Sequence, residues 1–185
     1  MLVLKDYQNR VLDSLRCFFR ESASSRNPAE AFQSSLAQNQ QRIRSYIPVL
    51  DPGLHPQMPY VCIRVPTGGG KTLLACHAAG IALSDFVRED SGMILWLVPS
   101  NTILNQTADA LRDVRHPYHQ ALVSACGPVE IKTIDDALQM RRAEADGKTI
   151  VIVSTIQSFR VENTDARKVY GNNGCYPEFF QNLAP

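Results

Sequence analysis

The sequence is short of the features that mark several large protein classes. Its five cysteines are scattered and form no C-x-x-C pair, which argues against a disulfide framework or a zinc site and suits a reducing cytoplasm. No apolar run approaches the length of a membrane-spanning helix, and residues 1–8 lack a basic stretch followed by a long apolar core. The formal net charge is only +1, so bulk charge neither demands nor excludes nucleic acid. The composition therefore predicts a cytoplasmic globular protein.

A glycine-rich stretch, Val65–Thr72, is the most informative part of the chain. It follows an apolar, β-branched run, Tyr60–Val65, which predicts a buried strand. It precedes Leu73–Leu83, where strong helix formers without proline predict a helix. A strand, a glycine-rich turn, a Lys-Thr pair and a helix, in that order, are the context of a phosphate-binding loop.

The residue types of this stretch suit a nucleotide triphosphate. Three consecutive glycines allow the main chain to approach phosphate groups without a Cβ clash. Lys71 is placed to reach the β- and γ-phosphates, and the Thr72 hydroxyl can join the coordination of Mg²⁺. The full pattern G-x-x-x-x-G-K-[ST] is not met, because Val65 stands where the first glycine belongs. We still interpret the stretch as a nucleotide site.

The rest of the chain alternates between predicted helices and strands. Residues 4–20 carry apolar groups at three- and four-residue spacing, which indicates an amphipathic helix. Met93–Val98 and Thr149–Ser154 are continuous apolar runs, typical of strands that are covered on both faces. A helix that Ser100 or Asn101 could cap follows the first of these runs. The alternation predicts an α/β fold with a parallel sheet flanked by helices.

Other segments give weaker signals. His116–His119 is interpreted as a plain loop and not as a metal site, because no Cys or carboxylate partner lies nearby. Ala121–Ala125 and Val129–Ile134 are short strand candidates. Asp135 and Asp136 are interpreted as the start of a helix and not as a Mg²⁺ site. The serine- and proline-containing segment at about 21–58 is predicted to be an insertion, with a mostly exposed helix from Ala29 to about Ser45.

Four separated pieces together resemble the first RecA-like domain of superfamily 2 helicases and translocases. They are Leu4–Gln8, Val65–Thr72, Leu97–Ser100 with Asn105–Thr107, and Ser154–Phe159. Within that superfamily the chain is similar to DEAD/DEAH-box-like proteins related to the helicase (Res) subunit of type III restriction enzymes. The resemblance extends over 1–185 apart from the insertion and a polar, glycine- and asparagine-rich tail from Asn163 onward. It implies a P-loop NTPase fold that is apparently incomplete.

The resemblance implies a set of functional residues. ATP and Mg²⁺ become the expected cofactors, and Gln8 is expected to recognise the adenine edge with Tyr7 packing nearby. The implied nucleotide-binding residues are Tyr7, Gln8, Pro66, Thr67, Gly68, Gly69, Gly70, Lys71 and Thr72. Lys71 and Thr72 are the implied catalytic pair, with Thr72 as the Mg²⁺ ligand. The implied contacts to one nucleic-acid strand are Pro99, Ser100, Asn101, Thr155 and Ser158.

The resemblance also identifies parts that the 185 residues do not contain. In the family an Asp-Glu motif holds Mg²⁺, and a second RecA-like domain supplies an arginine that completes the ATP cleft. Phosphoryl transfer depends on such charges, so we expect this chain to bind ATP weakly and to hydrolyse it negligibly. The expected partners are nucleic acid, with DNA favoured over RNA, the remainder of a helicase or translocase, and other restriction or defence subunits. A P-loop phosphotransferase and a non-enzymatic nucleotide-sensing module are the alternatives.

Overall fold

The computed structural model describes residues 3–39, 44–48, 57–140 and 145–159. The chain divides into two compact units, Met1–Asp90 and Ser91–Pro185. No helix within the described ranges is long and apolar enough to cross a membrane. The regular elements of the first unit are all helical in the part that the structure describes, whereas the second unit contains a three-stranded sheet.

The first unit is built on a long amphipathic helix, α1 (Asp6–Ser25). It packs against α2 (Pro28–Gln38), which begins with proline at its first position and is capped by the Asn27 side chain. Helix α3 (Lys71–Ile81) continues into a π-helical turn, Ala82–Val87. The core between these helices consists of Leu12, Leu15, Phe18, Ala31, Val65, Leu74 and Ile81.

Polar contacts reinforce the packing of α1 against the π-helical turn. Asp85 lies within 2.8 Å of Arg20 Nε and 3.3 Å of Arg16 Nε, and its side chain is only 11% exposed.

Phe18 makes an edge-to-face contact with Phe32 of α2 at 6.1 Å between ring centroids. Helix α2, predicted to be mostly exposed, therefore buries one face against α1. The predicted amphipathic helix at residues 4–20 is confirmed and extends to Ser25.

The second unit alternates strands and helices. Strand β1 (Met93–Val98) leads into α4 (Asn101–Arg112), and α5 (Pro117–Cys126) follows. Strand β2 (Val129–Thr133) is followed by the short α6 (Ile134–Leu138), by β3 (Thr149–Thr155) and by a 3₁₀ turn, Ile156–Phe159. The strand order is β1-β3-β2, and both pairings are parallel. The predicted α/β architecture with a parallel sheet is thus confirmed.

The central strand carries the core of this unit. Every residue of β3 is buried, as expected for a continuous apolar strand with a neighbour on each side. Strand β1 differs from the prediction that both of its faces are covered, because Leu95 is 42% exposed and Leu97 is 45% exposed. Among the described strands, β1 pairs with β3 alone. Leu95 and Leu97 are two residues apart, so their side chains lie on the same face of the sheet.

Two of the predicted strands are wrong. Tyr60–Val65 forms no strand, although Val65 is buried: its unit holds no strand in the described ranges, so its backbone lacks a ladder partner there. Ala121–Ala125 lies inside α5, which begins at Pro117 and is capped by the His116 ring. His116–His119 is therefore a helix start and not a loop. The described residues hold no group of three His, Cys, Asp or Glu side chains that could bind a metal.

The remaining strand and helix predictions stand with small changes. Strand β2 matches the second short candidate, and β1 and β3 match the long apolar runs. Asp136 completes a capping box with Thr133 at the start of α6, and hydrogen bonds from Thr133 lower the pKa of the Asp136 carboxyl. The interpretation of the acidic pair as a helix start is confirmed. The predicted polar tail from Asn163 onward lies outside the described residues.

Candidate functional site

The glycine-rich loop, Pro66–Gly70, turns tightly before α3. The Gly69 N–H donates to the Pro66 carbonyl at 3.0 Å and closes the turn. Gly68 and Gly70 both have φ of +77°, a left-handed conformation that residues with a Cβ rarely adopt. A Cβ on Gly69 would lie 2.5 Å from Val65 Cγ1, so this close approach also requires glycine. Local backbone geometry thus accounts for the three consecutive glycines.

The loop leaves the start of α3 open to a ligand. Gly70 is the N-cap residue, and it has no side chain that could accept a hydrogen bond from the first-turn N–H groups. A helix start of this kind presents N–H groups and the positive end of the helix dipole to an anion. Lys71 is exposed, and its Nζ donates to the Pro66 carbonyl at 3.0 Å, so its ammonium group lies across the loop. Thr72 follows in the same helical turn and is half-buried.

The beginning of α1 is tied to this loop by two hydrogen bonds. Tyr7 Oη donates to the Gly69 carbonyl at 2.8 Å, and Gln8 Nε2 donates to the same oxygen at 3.1 Å. Gln8 is only 5% exposed, and its Oε1 accepts from the Lys5 backbone N–H at 2.9 Å. The structure therefore brings the predicted residues Tyr7 and Gln8 directly against the glycines. Both ends of the Gln8 amide have partners within the chain.

The donor set of the loop fits the phosphate groups of a nucleotide. It combines the free N–H groups at the start of α3, the Lys71 ammonium and a backbone that no Cβ obstructs. Thr72 adds one hydroxyl, the kind of oxygen ligand that Mg²⁺ accepts beside phosphate oxygens. In the described residues the loop has no cluster of carboxylates that would hold a metal without the nucleotide.

The predicted nucleic-acid contacts lie together in the second unit. Val98 of β1 pairs with Thr155 of β3, so the segments that follow these strands are neighbours at the carboxyl edge of the sheet. Ligands bind at this edge in open parallel sheets. Ser100 caps α4 by accepting from the Ile103 N–H at 3.4 Å, and Asn101 is the exposed first residue of that helix.

The two segments are also bonded to each other. Gln157 Nε2 donates to the Pro99 carbonyl at 3.1 Å, a contact that joins the segments and that the sequence did not predict. Thr155 is only 4% exposed, and its hydroxyl pairs with that of Ser158 at 2.9 Å. Ser158 is exposed, so it presents a hydroxyl to solvent while Thr155 holds it in place. Gln157 could have been identified from the sequence, because it lies within Ser154–Phe159, one of the four segments that resemble superfamily 2 helicases.

Comparison with known proteins gives one match. A model of the family described as type III restriction enzyme, res subunit, matches residues 1–175. A search of curated proteins and a search of solved structures each found no significant match. The matched range includes the glycine-rich loop, the beginning of α1 and the carboxyl edge of the sheet.

Proposed function

The chain belongs to the family of type III restriction enzyme res subunits, and we propose that it is the ATP-binding part of a nucleic-acid translocase or helicase. Family membership implies an ATP-dependent, helicase-like function in a restriction-type enzyme that acts on nucleic acid. The observation that carries the finer proposal is the glycine-rich loop. Its left-handed glycines, its open helix start and the Lys71 ammonium lie together, and Tyr7 and Gln8 fasten the loop to α1.

Each residue of the loop has a proposed role in binding the nucleotide. The N–H groups at the start of α3 receive the phosphate oxygens, and Lys71 exchanges its contact with the Pro66 carbonyl for a charge-assisted contact to phosphate. Thr72 holds Mg²⁺ together with the phosphate oxygens, and the ion neutralises their charge. Pro66 and Thr67 shape the turn around Gly68.

Tyr7 and Gln8 have two proposed roles. Their hydrogen bonds to the Gly69 carbonyl hold the loop in its binding conformation before the ligand arrives, which lowers the entropic cost of binding. Gln8 additionally recognises the adenine edge. That role requires at least one of its amide contacts, to Lys5 or to Gly69, to be exchanged for a contact to the base.

The carboxyl edge of the sheet is the proposed contact to one strand of DNA. Ser100 and Asn101 at the start of α4 and Ser158 after β3 offer hydroxyl, amide and N–H donors to backbone phosphates. Contacts of this type position a strand without reading its bases. Pro99 and Thr155 support these donors through the Gln157 bond and the hydroxyl pair.

We further propose that the 185 residues bind ATP weakly and turn it over negligibly without a partner domain. Phosphoryl transfer needs charge neutralisation around the γ-phosphate, and the stretch Pro66–Thr72 contributes a single positive charge, that of Lys71, and two threonine hydroxyls. A second RecA-like domain would supply further charges. The thiols of Cys17, Cys62 and Cys126 suit the reducing cytoplasm that we propose as its location.

Titration with a fluorescent ATP analogue and Mg²⁺ tests the proposal. The Lys71→Ala variant should bind about 10- to 100-fold more weakly, because a charge-assisted contact contributes roughly 1.5–3 kcal/mol. Lys148→Ala, which removes an exposed lysine of the second unit, is the matched control and should bind like the unsubstituted chain. Equal affinity of the Lys71 variant and the unsubstituted chain would refute the proposed site. Rapid, Lys71-dependent hydrolysis would refute the proposed need for a partner domain.

A further inference from the structure

A pocket at the opposite end of α1 is not accounted for by the proposed nucleotide and nucleic-acid sites. It has a volume of about 380 Å³ and is lined by residues of the first unit, among them Ser22, Arg26, Met58, Phe86 and Arg88. Ser22 lies fourteen residues after Gln8 on α1, which is roughly 20 Å along the helix axis at the usual rise per residue. The Arg26–Arg88 pocket is therefore distinct from the glycine-rich loop.

The two arginines of this pocket share an unusual backbone conformation. Arg26 has φ of 53° and Arg88 has φ of 63°, and they are the two non-glycine residues with positive φ in the described ranges. Each ends a helical segment: the Arg26 N–H donates to the Ser22 carbonyl at 3.0 Å, and the Arg88 N–H donates to the Leu83 carbonyl at 2.7 Å. Helix ends of this kind favour glycine or asparagine. Arginine at both positions is locally unfavourable, which points to a use for the side chains.

Both guanidinium groups are available to a ligand. Neither has a hydrogen-bond or ion-pair partner in the part of the chain that the structure describes. Among the residues that the structure describes, the pocket lining contains no Asp or Glu. Asp85, which precedes Phe86, is engaged by two other arginines of α1. Within the described residues, the pocket thus combines two positive charges that have no ion-pair partner.

The floor of the pocket adds a second, independent signal. Ser22 is only 2% exposed, and its hydroxyl is one of two buried side-chain polar atoms in the described ranges without a hydrogen-bond partner. Buried hydroxyl groups are normally satisfied by protein, water or ligand. Ser22 and the half-buried Phe86 both line the pocket.

We propose that the Arg26–Arg88 pocket is a second ligand site, which binds one nucleotide unit. The two guanidinium groups bind the phosphate, because their fork of donors matches its oxygens. The Phe86 ring and the Met58 side chain form the apolar wall against which the base lies. The volume lies at the lower end of the range for small-molecule sites and admits one nucleotide. The nucleotide is either free or part of a single strand, since both present the same chemistry.

Calorimetric titration of the Lys71→Ala chain tests the pocket without a contribution from the glycine-rich loop. Thymidine monophosphate is the probe, and a ten-residue oligothymidylate is the competitor. Arg26→Gly and Arg88→Gly should each weaken binding of the monophosphate by about tenfold or more. Their Tm should equal or exceed that of the parent, because glycine adopts positive φ without a Cβ clash. Arg115→Ala, which removes an exposed arginine of the second unit, should leave binding unchanged.

The outcomes decide both the site and the source of the nucleotide. Displacement of the monophosphate by the oligothymidylate at lower concentration identifies a strand site, and failure to displace identifies a site for free nucleotide. Arg26→Asn and Arg88→Asn form a second pair of variants. They also remove the positive charge, and asparagine, like glycine, tolerates positive φ. Absence of saturable monophosphate binding, or full binding in both variant pairs, would overturn the proposal. Neither result bears on the Lys71 site.

Discussion

Alanine at Gly70 should disturb the glycine-rich loop more than alanine at Gly68. Both glycines have φ of +77°, so both substitutions introduce the same left-handed strain. A Cβ at Gly68 would meet no atom within 4 Å, whereas a Cβ at Gly70 would lie 2.6 Å from Gln8 Nε2. The Gln8 amide must then move away from its partners. Gly68→Ala is therefore a matched control that contains the strain without the clash.

The expected magnitudes follow from these contacts. Left-handed alanine costs about 1 kcal/mol relative to glycine, which is the whole effect expected at Gly68. Displacing the Gln8 amide also breaks its hydrogen bonds to the Gly69 carbonyl and from the Lys5 N–H, each contributing about 0.5–1.5 kcal/mol. Gly70→Ala should accordingly lower the free energy of unfolding by about 2–4 kcal/mol.

Urea unfolding followed by far-UV circular dichroism measures this difference, because the described regular structure of the first unit is helical. The double variant Gln8→Ala, Gly70→Ala supplies the sharper result. Removal of the amide also removes the clash, and the two hydrogen bonds of the amide are lost in each single variant but only once in the double variant. The combined loss should therefore be smaller than the sum of the single losses by about 1–3 kcal/mol. Equal losses at Gly68 and Gly70, or strict additivity in the double variant, would refute the reasoning.

Three further predictions concern the chemistry of side chains outside the loop. Burial raises the pKa of the Cys126 thiol to about 11, so iodoacetamide at pH 8 should label exposed Cys62 at least about tenfold faster, as measured by peptide mass mapping. The hydrogen bond from Lys132 and burial act in opposite senses on Glu130, and the net effect lowers its pKa. Its stabilisation is therefore present above the unfolded-state pKa and lost as the pH falls through the lower folded-state value. Glu130→Gln should cost at most about 1 kcal/mol at pH 7 and nothing in strong acid in urea unfolding, because the side chain is one-third exposed. Thr133→Ala removes the hydroxyl cap of α6 and should lower the free energy of unfolding by about 1 kcal/mol in the same assay, whereas an unchanged urea midpoint would contradict this role.

The elements that the sequence predicted well are those with a strong local signal. The apolar runs of β1 and β3 are long enough to identify strands, and Ser100 caps α4 as its side chain suggests. Gly68 and Gly70 of the loop adopt the left-handed conformation that only glycine permits at low cost. In each case the deciding interaction lies within a few residues of the chain.

The errors occur where a short segment is compatible with two structures. Ala121–Ala125 is a mostly apolar segment of only five residues, so periodicity cannot assign it to a strand or a helix. Pro117 at the first helical position favours the helix, and the segment lies in α5. Tyr60–Val65 has the composition of a strand, but a strand also needs a neighbour to satisfy its backbone groups. The bonds from Tyr7 and Gln8 to one carbonyl are likewise tertiary contacts. The resemblance suggested that Tyr7 and Gln8 lie near the loop. It did not predict that both side chains donate hydrogen bonds to the Gly69 carbonyl.

The attachment of α1 to the glycine-rich loop has a consequence for how this family can vary in sequence. Its two hydrogen bonds join positions 62 and 61 residues apart. The entropy lost on closing such a stretch grows only with the logarithm of its length, so that doubling the intervening chain costs only about 0.6 kcal/mol. Relatives can therefore gain tens of residues between α2 and the loop at little cost in loop-closure entropy, provided that α2 keeps its packing against α1. An alignment of the family should show its largest length differences in this interval, between two segments of nearly constant length.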